Sequence, residues 1–431
     1  MQQYQDSITH DNGGASGSGN PVVDDLSRQL NVKLTVDDDV PENVQRFNKM
    51  KELSVDDYNS NGQFNPQIQL DWVTILLEHT GDETFMKTYN INGEKLSKEL
   101  THQEVKKNEH IFIKQAIKLL KKITSVAKTP DSQFLLGSLY SNSPIIKIGR
   151  PNILEKNYEK SFGYYQKAAS QGHPLALYRL AVSYELGIGT AVNETKALDC
   201  FIKSANLKCV PSMFKLGIIY SRGALRALRS AKYSYYWFEK ASEFASVENP
   251  HALFELAKIY ERDFPFLAKG VTPTPSDIEY LTELDRLGIF KDDKRAIFYY
   301  KEASRFKYPP AQYKLGWCYE YGRLDCVIDA KKSIGWYSRS ASQGYPSAEM
   351  ALSGWYLTGA KGILEPNDKE AYLWASKAAS VGFAKAEYAI GYYCEVGLGC
   401  DVDLEKSRKF YIRAATQGHN KAIERLKRFR K

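Results

Sequence analysis

From residue 132 onward, small and apolar residues return at a steady interval. If the small residues Ser132, Ala176, Ser212, Ala252, Ala311, Ala348, Ala386 and Ala422 serve as marks, their spacings are 44, 36, 40, 59, 37, 38 and 36. Four positions after the first seven marks stand Leu136, Leu180, Leu216, Leu256, Leu315, Leu352 and Ile390. The next residue is always small: Gly137, Ala181, Gly217, Ala257, Gly316, Ser353 or Gly391. Eight after the mark come Tyr140, Tyr184, Tyr220, Tyr260, Tyr319 and Tyr356, then Cys394. Residues i and i+4 share one face of a helix, so each mark predicts one helix. A second pattern follows in every unit. A bulky residue (Tyr165, Phe201, Phe238, Tyr300, Tyr337, Trp374, and Tyr411 or its neighbour Phe410) stands about one turn before a small pair such as Ala168-Ala169 or Ala378-Ala379. It predicts a second helix that a neighbour can approach closely. Two helices per interval of this length indicate a helical solenoid, and the spacing of 59 marks an insertion.

The breakers agree with this division. Gly187, Gly223, Gly322, Gly359 and Gly397 fall where a helix C-cap needs positive φ. Pro174, Pro211, Pro250, Pro310 and Pro346 fall where the next helix opens. A glycine inside a helix costs about 1 kcal/mol of propensity. Its return at Gly137, Gly217, Gly316 and Gly391 therefore implies contacts too close for a side chain.

Ahead of the array the pattern changes. Residues 1–65 are rich in Asn, Asp, Ser, Gly and Gln and are expected to form a disordered acidic arm. Residues 66–130 hold two helical stretches, QIQLDWVTILLEH and IFIKQAIKLLKKITSVAK, that lead into the array. Residues 131–431 form the solenoid of about seven units, with the insertion near 264–291 and a capping helix at 421–431. In the insertion, Asp277 to Leu287 reads as an extra helix with Ser276 as its N-cap. Insertions often lie on the binding face of a solenoid. Thr272, Thr274, Tyr280 and Arg286 are therefore the candidate partner contacts.

Charge narrows the partners. The first 65 residues carry eleven acids against five bases, while the whole chain is +8, so the body is basic. Acidic protein surfaces or anionic lipid suit such a body. Nucleic acid does not, because the charge is spread out and falls in no recognisable binding module. No apolar run reaches the roughly 18 residues of a membrane span. The N-terminal residues show no secretory signal, so the expectation is a cytoplasmic protein. Six cysteines with no zinc spacing read as reduced thiols.

Candidate chemistry does not survive the register. Gly187-Ile188-Gly189 has the glycines of a phosphate loop, but Gly397-Leu398-Gly399 repeats it at the same register position, as a turn would. His173 and His419 also share a position and read as loop histidines. Ser125-x-x-Lys128 matches a serine-nucleophile pattern without its accompanying elements. The expectation is no catalytic residue, no metal site and no cofactor.

Two copies carry the pattern most clearly: YAIGYYCEVGLGCDVDLEKSRKFYIRAATQGH and YKLGWCYEYGRLDCVIDAKKSIGWYSRSASQGY. They resemble the Sel-like repeat, a relative of the tetratricopeptide repeat. That resemblance implies an all-α, right-handed superhelical solenoid of antiparallel helix pairs with a concave binding face. The stretches SQFLLGSLY, LFELAKIYE, MALSGWYLTGA with NDKEAYLWASKAAS, and IERLKRFRK look like the fungal chitin synthase regulatory family. This resemblance implies a non-catalytic scaffold that binds and activates or localises a membrane-bound chitin synthase. The implied place is peripheral, at the plasma membrane, bud neck or septum. A related subgroup implies the alternative of an adaptor in protein kinase C/Rho cell-wall-integrity signalling. The chain ends Arg428-Phe429-Arg430-Lys431, without the prenylation box of some members.

Overall fold

The computed structural model describes residues 40–60, 65–142 and 152–428. These form twenty α-helices and no strand. Residues 1–39 of the expected arm lie outside the described residues, but its end corrects the expectation. Glu42–Ser60 is a helix, α1. Val44, Phe47 and Met50 recur every three residues along it and are buried. Phe47 packs 4.9 Å from Trp72 and 5.0 Å from Phe85, centroid to centroid. The polar composition of the arm hides a short apolar stripe, and Ser54, buried as well, adds a hydrogen bond to Gln69 at 2.9 Å.

The lead-in is completed by α2 (Pro66–His79), α3 (Glu83–Thr88) and α4 (His102–Val126). The α4 helix opens earlier than its apolar run suggests. Thr101 and Glu104 form a capping box there, and Val105 and Asn108 are buried one turn on. Asn108 donates to the backbone carbonyls of Met86 and Tyr89, 3.1 and 2.9 Å away, and ties the polar stretch down.

The array is seven helix pairs and a cap. The pairs are α5 (Pro130–Ser141) with α6 (Tyr158–Ser170), α7 (Pro174–Leu186) with α8 (Glu194–Asn206), and α9 (Val210–Arg222) with α10 (Ala231–Ser242). Next, α11 (His251–Glu261) pairs with α13 (Asp293–Arg305) across the insertion, which carries α12 (Pro275–Arg286). Then come α14 (Pro309–Tyr321) with α15 (Ala330–Ala341), α16 (Pro346–Thr358) with α17 (Asp368–Ser380), and α18 (Ala384–Val396) with α19 (Leu404–Thr416). The cap is α20 (Asn420–Arg428); Phe429, Arg430 and Lys431 of the expected capping helix lie outside the described residues.

Every mark is buried, from Ser132 to Ala422, as are the leucines four residues on. The repeating glycine sits under the aromatic of its own pair. A Cβ on Gly217 would lie 2.5 Å from Phe238, and one on Gly316 would lie 2.6 Å from Tyr337. The second helix is held by a feature that the sequence reading passed over. Its N-cap is Asn157, Asn193, Ser230, Asp292, Asp329, Asn367 or Asp403, whose side chain accepts a bond from the third residue on. The backbone N–H of each cap donates to the carbonyl eight after the mark, from Asn157 to Tyr140 through Asp403 to Cys394. The repeating tyrosine thus marks the joint that closes each pair.

One unit corrects the register of aromatics. Trp374 is one position early, and the equivalent residue is Ala375, fully buried. Space left by the missing ring is taken from the next pair. Tyr393 is 3% exposed, and its hydroxyl lies 2.9 Å from the Ser353 Oγ.

The insertion is a built part of the core. Its helix begins two residues earlier than Ser276 as cap would set it: Thr274 is the N-cap, in a box with Asp277, and Pro275 is the first helical residue. Glu283 reaches the start of α10, accepting from the Ala231 N–H at 2.6 Å and the Ser230 hydroxyl at 3.0 Å. Arg229 pairs with Asp277 at 2.6 Å and covers the Tyr280 ring at 4.7 Å. Thr274 and Arg229 hold the Asp277 carboxyl down to about 2. A depressed carboxylate adds stability above its unfolded value, about 4, and that stability is lost as pH falls toward about 2. Asp277→Asn is expected to flatten stability across that window and to speed amide exchange in α12. Identical acid-unfolding curves for wild type and variant would show that the clamp contributes nothing.

Candidate interaction surface

The first helices of successive pairs share one face of the array. Its chemistry follows from two further register positions, nine and three residues after the mark. At +9 stand Glu185, Glu261, Glu320 and Glu395; at +3 of the following unit stand Lys215, Lys314, Ala351 and Arg425. Lys215 pairs with Glu185 at 2.8 Å, Lys314 with Glu261 at 2.7 Å, and Arg425 with Glu395 at 3.0 Å. Under each of the last three glutamates lies the buried tyrosine of the second helix. Tyr300 donates to Glu261 at 2.6 Å, Tyr337 to Glu320 at 2.6 Å, and Tyr411 to Glu395 at 2.5 Å. Burial, then the glutamate's charge and hydrogen bond, push the Tyr300 phenol well above its ordinary range. Burial opposes the Lys314 charge, but Glu261 and Asp263 outweigh it and hold the ammonium pKa up.

Glu320 stands apart. No Lys or Arg forms an ion pair with it among the described residues, since the register places Ala351 there. Small side chains at Ala351 and Gly354 leave a groove of about 520 Å³ between α14, α16 and the start of α18. Tyr313, Trp317, Tyr321 and Trp355 wall it, Tyr337 is beneath, and Lys385 stands at one end. The indole Nε1 of Trp355 is buried with no hydrogen-bond partner. A hydrogen bond to Glu320, then burial, push the Tyr321 phenol up to about 12. A second hollow of about 640 Å³ continues past Met350 and Lys385 to Tyr388, Tyr392 and Lys421. The two form one aromatic strip on the first-helix face. Such strips of aromatic side chains with a few fixed polar groups suit protein binding.

The expected partner contacts are not on this strip. Thr272 and Arg286 are exposed, and Arg286 pairs with Glu279 at 2.9 Å. Thr274 is used as a helix cap. Tyr280 is corrected: at 3% exposure it is core, with its hydroxyl donating to Ser234 at 3.2 Å. The break in periodicity suggested a surface loop, and only the fold shows what the loop covers.

The other singled-out residues take structural places. His173 caps α7, its Nδ1 accepting from the Ala176 N–H at 3.0 Å, while its Nε2 lies 3.2 Å from Asp131. That hydrogen bond holds the Asp131 carboxyl below its usual range. Gly187 and Gly189 both have φ of +71°. A side chain at Gly189 would collide with the Tyr158 carbonyl, so the Gly-Ile-Gly stretch is a close-packed turn. Ser125 donates to the Lys122 carbonyl at 2.9 Å on an exposed helix end. All six cysteines are free, and burial pushes the Cys318 thiol up to about 12. Among the described residues no three His, Cys, Asp or Glu converge to hold a metal, and no helix is long and apolar enough to cross a membrane.

Known proteins share this architecture. The Sel1 repeat profile matches residues 130–173, 174–209, 210–243, 281–305, 309–345, 346–383 and 384–419. The chain is 37% identical over 385 residues to Activator of C kinase protein 1 of Saccharomyces cerevisiae, covering 85% of this chain and 59% of that one. It is 37% identical over 321 residues to Chitin synthase regulatory factor 3 of Schizosaccharomyces pombe, covering 74% of this chain and 31% of that one. It is 32% identical over 320 residues to Chitin synthase regulator SKT5 of Saccharomyces cerevisiae, covering 73% and 42%. The chain thus spans less than two thirds of the length of each of these relatives. Among solved structures, a Sel1 repeat protein from Oxalobacter formigenes superposes with a TM-score of 0.54 at 20% identity, covering 94% of this chain and 99% of that one. A protective antigen of uropathogenic Escherichia coli with an SLR fold also gives 0.54, at 21% identity, covering 89% and 66%.

Proposed function

The chain belongs to the Sel1 repeat family, and from that premise we propose that it is a non-catalytic scaffold that binds a chitin synthase and activates or localises it. The observation that carries this reading is the aromatic strip across α14, α16 and α18, the kind of surface on which a solenoid holds a protein. The chitin synthase enters through relatives whose names describe them as regulators of that enzyme. A scaffold requires no nucleophile, base or metal; His173 serves as a helix cap, Gly187-Ile188-Gly189 as a turn, and Ser125 bonds to its own helix. Its place in this reading is peripheral, at the plasma membrane or septum, reached through the partner.

A second reading is supported by the relative named Activator of C kinase protein 1, which matches 85% of this chain. In it the same face serves an adaptor in protein kinase C/Rho cell-wall signalling. Affinity purification of the full chain, with mass spectrometry and chitin staining of a deletion strain, separates the two. Synthase among the recovered proteins and reduced chitin support the first reading. Kinase-pathway proteins without synthase, and normal chitin, support the second.

A further inference from the structure

The face repeats a three-part unit: a glutamate, a buried tyrosine or phenylalanine from the second helix, and a cation from the following pair. Glu185 has Phe201 and Lys215, Glu261 has Tyr300 and Lys314, and Glu395 has Tyr411 and Arg425. At Glu320 the tyrosine is present and the cation is missing. Local cations are committed elsewhere. Lys314 is turned to Glu261 and Asp263 with its ammonium 4.6 Å from the Trp317 ring centroid, and Arg323 lies 5.9 Å from the same ring. Lys385 lines the groove but forms no ion pair with Glu320. The space that a long basic side chain would fill is open, and it is walled by aromatic rings. A cation over such rings gains attraction from their faces, most with indole.

We propose that the groove at Glu320 is a socket for one lysine or arginine side chain presented by a protein partner. The partner's cation takes the place that Lys215, Lys314 and Arg425 take within the chain. Its methylene stem lies between Trp317 and Trp355, two of the rings that wall the groove. A guanidinium fits better than an ammonium, since its fork meets both carboxylate oxygens. This rests on the chain being a protein-binding scaffold, and it names the chemistry that the scaffold recognises.

The test uses the full chain with its six tryptophans labelled with ¹⁵N at the indole nitrogen, and capped peptides of sequence Ala-Leu-Xaa-Leu-Ala. Arginine at Xaa is expected to shift the Trp355 and Trp317 indole signals saturably, with lysine weaker. Norleucine and glutamate are expected to leave them in place. Glu320→Gln keeps an acceptor for Tyr337 and is expected to weaken the arginine peptide at least tenfold. Ala351→Lys supplies the cation in cis; it is expected to abolish binding while raising the melting temperature. Norleucine binding as tightly as arginine, unchanged binding by either variant, or no response to any peptide overturns the proposal. Synthase recovery without peptide binding would remove the socket and leave the scaffold; the converse would remove the synthase as partner.

Discussion

Replacing Tyr300 with alanine is expected to cost about 3–5 kcal/mol, the range for large aromatic deletions in a core. Tyr300 is fully buried between α11 and α13, with Phe254 at 5.4 Å edge to face. Its removal leaves a cavity and takes one partner from Glu261. The Glu261–Lys314 pair that joins two units then loses its floor, so the damage crosses the joint between them. Tyr300→Phe keeps the ring and removes only a hydrogen bond to a charged acceptor, a loss of about 1.5–3 kcal/mol. Urea unfolding of the two variants separates packing from hydrogen bonding. An alanine variant less than 1 kcal/mol below wild type would show that the ring is not a core element.

The second large effect is expected at the glycines. Leucine at Gly217 must displace Phe238, whose ring lies 2.5 Å from where its Cβ would stand. Overpacking of this kind costs about 1–3 kcal/mol, occasionally more. Gly217 is expected at the upper end, because Phe238 is 2% exposed and has nowhere to turn. Gly316→Leu acts the same way on Tyr337, whereas Gly163→Leu, with open space around it, serves as control. Thermal melts that rank the three together would contradict this packing.

The repeat itself was legible because its requirements are local and recurrent. A small residue, a leucine and a tyrosine at fixed offsets report helix contact six times over, with Ile390 and Cys394 standing in the seventh unit, and chance does not imitate that. The first packed helix was not legible, because Val44, Phe47 and Met50 stand widely spaced in a polar stretch at the end of an acidic arm. The insertion breaks period and so predicts an exposed surface, whereas Tyr280 and Leu284 are buried by elements some fifty residues away. Trp374 drew attention by size, whereas the register position belongs to Ala375 and the compensating ring comes from Tyr393 in the next pair. The groove lay furthest from reach. Its signal, a glutamate at +9 facing alanine instead of lysine at +3 of the next unit, spans 31 residues between Glu320 and Ala351. Only the fold shows that those positions meet.

If this solenoid acts by engaging a chitin synthase, as proposed, synthase activity in fungal membranes from a strain lacking the chain responds when the purified chain is added. The expected result is a saturable rise in chitin synthesis, with the protein sedimenting with the membranes. Activity unchanged at saturating protein, with none of the chain recovered on membranes that contain the synthase, would rule out a direct role on the synthase.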